Sequence, residues 1–207
     1  MSKIIRTAKN RLEISADRSE IWKYFQSDKE YLRELQIYQQ KPEFAPRMLG
    51  FDSKEKVLKL EYLEAKTILE IEADFPQIAH LFFSLHRFEE NTICLCDVNP
   101  KNILFDPASS RYFLIDFSDW QHQPKEYDLI RFLLFWASIL PYEGFNEVTN
   151  KFYHTYDELA KIDRKLWDKL LPIAITEFDE RRKKFNRRKA IEEAEPEKNR
   201  ERLGRLK

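Results

Sequence analysis

The stretch CDVNPKNILFD, residues 96–106, and its sequel LIDFSDW, residues 114–120, decide how the rest of the chain is read. Asp97 is followed five positions on by Asn102, with Pro100 between them, and the amide leads into the apolar run ILF. A second apolar run, YFLI, ends on Asp116. Short runs rich in Ile, Leu, Phe and Tyr, punctuated by Pro100 and Pro107, read as strands within a region that is otherwise helical. An acid, an amide and a second acid are thereby placed at the edges of short rigid elements.

Upstream, KIIRT (3–7), RLEIS (11–15) and EIWKYF (20–25) read as a three-strand meander. Asp28 is the expected cap of a helix in which Tyr31, Leu32, Leu35 and Tyr38 recur at helical spacing until Pro42. MLGFD (48–52) and VLKLEYL (57–63) follow as strands around a SKEK turn. From Thr67 the period changes, and the segment to Arg87 reads as a helix interrupted near Pro76. After Pro124 the chain is expected to be helical over 127–140, 144–159 and from Trp167 to Phe185. The order predicts an α+β chain: a lobe over 1–63 holding a small antiparallel sheet and one helix, a helical lobe over 64–180, and a charged helical or disordered tail over 181–207.

Composition sets limits on function. The chain has 207 residues, 43% apolar and 35% charged, so one core of useful size is within reach. Lysine plus arginine equals aspartate plus glutamate at 36 each, which gives no global attraction to nucleic acid or to a membrane surface. Cys94 and Cys96, one residue apart, are too close for an ordinary disulfide and suit a reducing cytoplasm. The longest apolar stretch, 132–140, is too short to span a bilayer, so a soluble cytoplasmic protein is expected. The basic runs RRKK and RRK near the C-terminus read first as a solvated face, and secondarily as a surface for a macromolecular partner such as RNA.

Phosphoryl transfer from a nucleotide needs a carboxylate to orient an attacking hydroxyl, and oxygen ligands to hold magnesium against the phosphates. The D-x-N-P-x-N-I-L-F-D and L-I-D-F runs resemble the protein-kinase-like superfamily, in its compact RIO-type, lipopolysaccharide-kinase and aminoglycoside-phosphotransferase branches. The resemblance implies a two-lobed fold with ATP and Mg²⁺ as cofactors. It makes Asp97 the catalytic acid–base residue and Asn102 and Asp116 the metal ligands. It also makes Lys23 of EIWKYF the catalytic and phosphate-binding lysine, and Glu34 of YLRELQIY its helix partner, with Glu30 as the fallback one turn earlier. Glu61 to Leu63 correspond to the hinge whose backbone meets adenine. Asp128 corresponds to the acid that hydrogen-bonds the catalytic-loop backbone, a role compatible with a plain helix cap, and His86 reads as a structural histidine.

The sequence departs from that pattern at three places. Leu95 stands where a histidine is usual, Ser118 where glycine follows I-D-F, and the first turn, AKNR (8–11), contains no glycine. Lys9, Asn10 or Arg11 are the candidates to supply phosphate donors there. The short interval from Asp116 to Asp128 has no room for a peptide-docking segment. The expected activity is ATP- and Mg²⁺-dependent transfer to a hydroxyl acceptor, with a serine/threonine side chain of a protein placed first. A small molecule or lipopolysaccharide sugar is the alternative acceptor, and a pseudokinase working through a partner is the alternative role.

Overall fold

The computed structural model describes residues 3–6, 10–184 and 194–206. Strands and helices follow in the order β1 Lys3–Arg6, β2 Asn10–Ile14, β3 Glu20–Phe25, α1 Asp28–Gln39, β4 Met48–Asp52, β5 Val57–Glu61 and β6 Lys66–Thr67. Next come α2 Phe75–His86, β7 Ile93–Cys94, β8 Ile103–Asp106, β9 Arg111–Leu114 and β10 Gln121–His122. Four helices close the chain: α3 Lys125–Ala137, α4 Tyr142–Leu159, α5 Arg164–Lys184 and α6 Pro196–Gly204. They form two compact units, one of residues 1–71 with 101–120, the other of 72–100 with 121–207.

In the first unit β1-β2-β3-β5-β4 make one antiparallel sheet. Its register sets Lys23 of β3 between Leu12 of β2 and Leu58 of β5, on the same face as the buried Phe25. Helix α1 is capped by Ser27, whose hydroxyl accepts from the Glu30 amide, and not by Asp28 as the sequence suggested. A serine one residue earlier satisfies the orphan amide, and Asp28 then sits in the first turn, where a negative charge is favoured. Leu32, expected on the inner face, is exposed, while Glu34 is buried with Tyr31, Leu35 and Tyr38. A carboxylate on an inner face signals a partner.

The β8–β9 hairpin completes this unit, with Ile103 opposite Leu114 and β6 added on the outer edge of β8. Its turn is held by Asp106, whose carboxylate accepts from the Ala108 and Ser109 amides and from the Ser109 hydroxyl. Because 66–67 is strand, the helix expected from Thr67 begins only at Phe75. Asp74 caps it through the Gln77 amide, and Pro76 lies in its first turn, where a missing N–H costs nothing, so the proline starts this helix and does not break it.

In the second unit α2 lies against α4 and α3 against α5. Phe82, Phe132 and Phe152, from three helices, meet with ring centroids 4.5–5.5 Å apart. The chain end differs from the solvated tail read from composition: Leu203 and Leu206 are buried. Asn199 of α6 donates to the carbonyls of Ala137 and Leu140, satisfying acceptors left open where α3 ends. The basic run at 187–189, and Ala8 and Lys9 of the first turn, lie outside the described residues. Among the described residues no helix is long and apolar enough to cross a membrane.

Candidate active site

Two clusters hold the residues singled out by the sequence, one in each unit. The first is built around Lys23. Its ammonium donates to both oxygens of Glu34, at 2.9 and 2.7 Å, and to Oδ1 of Asp116 at 2.9 Å. An ammonium has three donors and no acceptor, so three carboxylate oxygens saturate it. Lys23 is 8% and Glu34 1% exposed, and at that burial an unpaired charge of either sign would be costly. The Phe25 ring lies 5.0 Å from the ammonium and adds a cation–π contact. Burial pulls the Lys23 ammonium down, but the Glu34 and Asp116 carboxylates outweigh it and the net direction is up. Burial also pushes the Glu34 carboxyl up, to about 7, against the pull of Lys23.

Asp116 is positioned by the hairpin. The Ile115 amide donates to the Asn102 carbonyl at 3.0 Å, one rung beyond the Ile103–Leu114 pair, so Asn102 and Asp116 flank the same open end of β8–β9. Asn102 itself closes a 3-10 turn over Pro100–Asn102. Asp116 has φ +67°, a left-handed backbone that side chains other than glycine seldom adopt. That conformation is held from the following residue: Phe117 is buried, with its ring 5.5 Å from Tyr38 and 5.9 Å from Phe44. Ser118, in the place expected of glycine, donates its hydroxyl to Asp116 Oδ1 at 3.0 Å. An amide and a carboxylate offered from one hairpin end are hard oxygen donors of the kind magnesium takes, and the Asp116 side chain is 37% exposed.

The second cluster surrounds Asp97. Asp128, fully buried, accepts the Leu95 amide at 2.6 Å on one oxygen and the Cys96 amide at 3.0 Å on the other. It lies inside the first turn of α3, beyond the Pro124 cap, so the helix-cap reading does not hold and the loop contacts are its role in the fold. Two amides fixed by one carboxylate brace Cys96 in a left-handed conformation, φ +60°, immediately before Asp97. His86 bonds the Tyr156 hydroxyl at 2.7 Å through Nδ1, as a structural histidine does. The Asp97 carboxylate is met by a residue of the stretch expected to be a charged tail: Arg181 Nη2 donates to Oδ2 at 2.6 Å. No local signal marks it, since its partner lies 84 positions away in the sequence.

The other expected residues fall as follows. Glu61 ends β5 and accepts the Arg47 amide at 2.6 Å through its side chain. Leu63 lies past the strand end, and none of its backbone groups bonds another described residue. Arg11 is taken up by stacking on Tyr24, 3.9 Å from the ring centre, and by Glu13. Glu30 serves the N-terminal turn of α1 through its amide.

Comparison with known proteins follows the same lines. A family model described as the phosphotransferase enzyme family matches residues 26–170, a stretch that includes Glu34, Asp97, Asn102, Asp116 and Asp128 and starts just after Lys23. No curated protein matches the sequence. Among solved structures, the choline kinase LicA of Streptococcus pneumoniae superposes with a TM-score of 0.61 at 15% identity, covering 97% of this chain and 92% of that one. A choline/ethanolamine kinase family protein of Mesorhizobium loti gives 0.60 at 12%, covering 99% and 92%. The aminoglycoside phosphotransferase APH(3'')-Id of Streptomyces rimosus gives 0.56 at 14%, covering 80% and 88%. These likenesses establish the protein-kinase-like fold, with an N-terminal antiparallel sheet and a helical C-terminal part.

Proposed function

We propose that this chain, which belongs to the phosphotransferase enzyme family, transfers the γ-phosphoryl group of ATP to a hydroxyl of a small molecule. The observation that carries the reading is the saturated Lys23 ammonium, buried between Glu34 and Asp116. A structural lysine needs one partner; this one is held by two carboxylates on separate elements, and exchanging Asp116 for phosphate oxygens leaves it still anchored by Glu34.

Each residue then has a task. Lys23 binds phosphate oxygens, and Glu34 fixes the ammonium. The Glu61 and Tyr62 amides already donate to the Arg47 and Ser19 carbonyls, so of the segment Glu61 to Leu63 it is the Leu63 amide that serves the adenine. Asn102 and Asp116 hold Mg²⁺, which when bound neutralises phosphate charge. Asp97 orients the acceptor hydroxyl and receives its proton as the new O–P bond forms; the bond from the γ-phosphorus to the bridging oxygen breaks, and ADP leaves with that electron pair. Asp128 keeps Asp97 in place through the Leu95 and Cys96 amides.

The small-molecule acceptor takes precedence over a protein serine or threonine on two grounds. The relatives are named for choline, ethanolamine and aminoglycosides. The interval between Asp116 and Asp128 is taken up by the Phe117 anchor, by β10 and by the start of α3, with nothing left to dock a peptide. Two free cysteines suit the cytoplasm. Magnesium-dependent release of ADP by the purified protein tests the reading: Lys23→Met and Asp116→Asn are each expected to abolish it, and release that persists unchanged in Asp116→Asn overturns it.

A further inference from the structure

Arg181 lies near the end of the described part of α5. Its guanidinium holds Asp97 Oδ2, and both side chains are 37% exposed, so a solute reaches the pair. Among the described residues of this face, Glu177 and Arg131 are already matched to each other. Glu177, one turn before Arg181, accepts from Arg131 Nη1 at 2.9 Å and from the Tyr127 hydroxyl at 2.5 Å. Arg131 is nearly buried and donates to the same Tyr127 hydroxyl. Among the described residues Arg181 has Asp97 as its one ionic partner, and that partner is the carboxylate proposed to orient the acceptor hydroxyl. Arg181 also lies beyond residues 26–170, so the family match does not account for it.

We propose that Arg181 is the specificity-determining residue for the acceptor, and that the acceptor carries a carboxylate or phosphate beside its reacting hydroxyl. The inference rests on the phosphotransferase reading, with Asp97 as the orienting residue. A guanidinium presents a fork of donors that fits either anion with two parallel hydrogen bonds. Turning onto such a group, Arg181 gives up Asp97 Oδ2 to the hydroxyl in one movement, so binding and readiness are coupled. An acceptor bearing an ammonium meets the opposite situation: it faces a cation that already engages the Asp97 carboxylate, and like charges at that range oppose association.

Calorimetric titration of the full chain tests this, with D-glycerate, glycerol 3-phosphate, glycerol and choline as probes and MgATP as a separate arm. The two anions are expected to bind at least tenfold more tightly than glycerol, with choline weakest. Arg181→Gln should erase that preference, Arg181→Lys restore part of it, and Arg181→Glu shift it toward choline. In turnover, Arg181→Gln should raise KM for the anionic acceptor tenfold or more with a smaller change in kcat. A wild type that binds no MgATP overturns the phosphotransferase reading and this inference with it. A wild type that binds MgATP but takes choline as tightly as glycerate, or whose anion preference survives Arg181→Gln, overturns this inference alone. So does a variant that turns over every acceptor faster, since Arg181 would then be a plain brake.

Discussion

The two carboxylates of the proposed chemistry, Asp116 and Asp97, are equally exposed, at 37% of each side chain, but answer to partners in opposite surroundings. Asp116 joins a buried cluster in which one ammonium meets three oxygens from two acids. Asp97 stands on a braced loop with one arginine against it, in a pair open to water. The first arrangement is closed, because a buried charge without its counterpart is costly and each member obliges the others. The second is exchangeable, because a half-exposed ion pair gives little net stability and is readily traded for another partner. Closure suits a site that meets the same nucleotide every time, and exchange suits one that meets an acceptor.

Substitutions sharpen the contrast. The largest effect is expected at the open site: Asp97→Asn should lower kcat by about 10²–10⁴, the range typical of acid–base groups, while leaving the melting temperature nearly unchanged. A large loss of stability there would erase the distinction. At the closed site activity and stability are lost together. Lys23→Met should destabilise by about 3 kcal/mol in urea unfolding at pH 8, because it strands the Glu34 carboxylate, and the double variant with Glu34→Gln should recover much of that loss.

Acidity offers a finer cut. Glu34 has its carboxyl raised by burial to about 7, above its ordinary value near 4.5, so the folded chain binds the extra proton between those limits. Its stabilising contribution is therefore present below about pH 4.5 and lost as pH rises through about 7. Metal-free unfolding free energies of wild type and Glu34→Gln should diverge across that window, with the wild type falling relative to the variant. Parallel curves would show that the carboxyl titrates normally. The smallest effect is expected from Ser118→Ala, which removes one hydroxyl bond to Asp116: about 1 kcal/mol, with ATP affinity changed only a few-fold.

The same contrast governs what the sequence discloses. The closed cluster is legible through a resemblance: EIWKYF and YLRELQIY fall in the order of a kinase series and so name Lys23 and Glu34, each on a short local element. The hairpin around Asn102 and Asp116 is equally local. Arg181 is not legible, because it reaches Asp97 across 84 positions and its neighbours RRKK look like any solvated face. Nor is the burial of Leu203 and Leu206, since two leucines among arginines and glutamates make no pattern until α3 offers open carbonyls to Asn199. The cap of α1 and the start of α2 were misplaced for a simpler reason: Ser27 and Asp28 are both good caps, and a proline marks a beginning as readily as an end.

Helix α1 touches the surroundings of Asp116 through Glu34 on Lys23 and through Tyr38 on the Phe117 ring. Both contacts hang from a single rod of twelve residues. Swivelling that rod by one side-chain position would slacken the ammonium and the aromatic anchor in the same stroke, so the aspartate has no halfway posture. Whatever clamps or pries this helix throws a single latch.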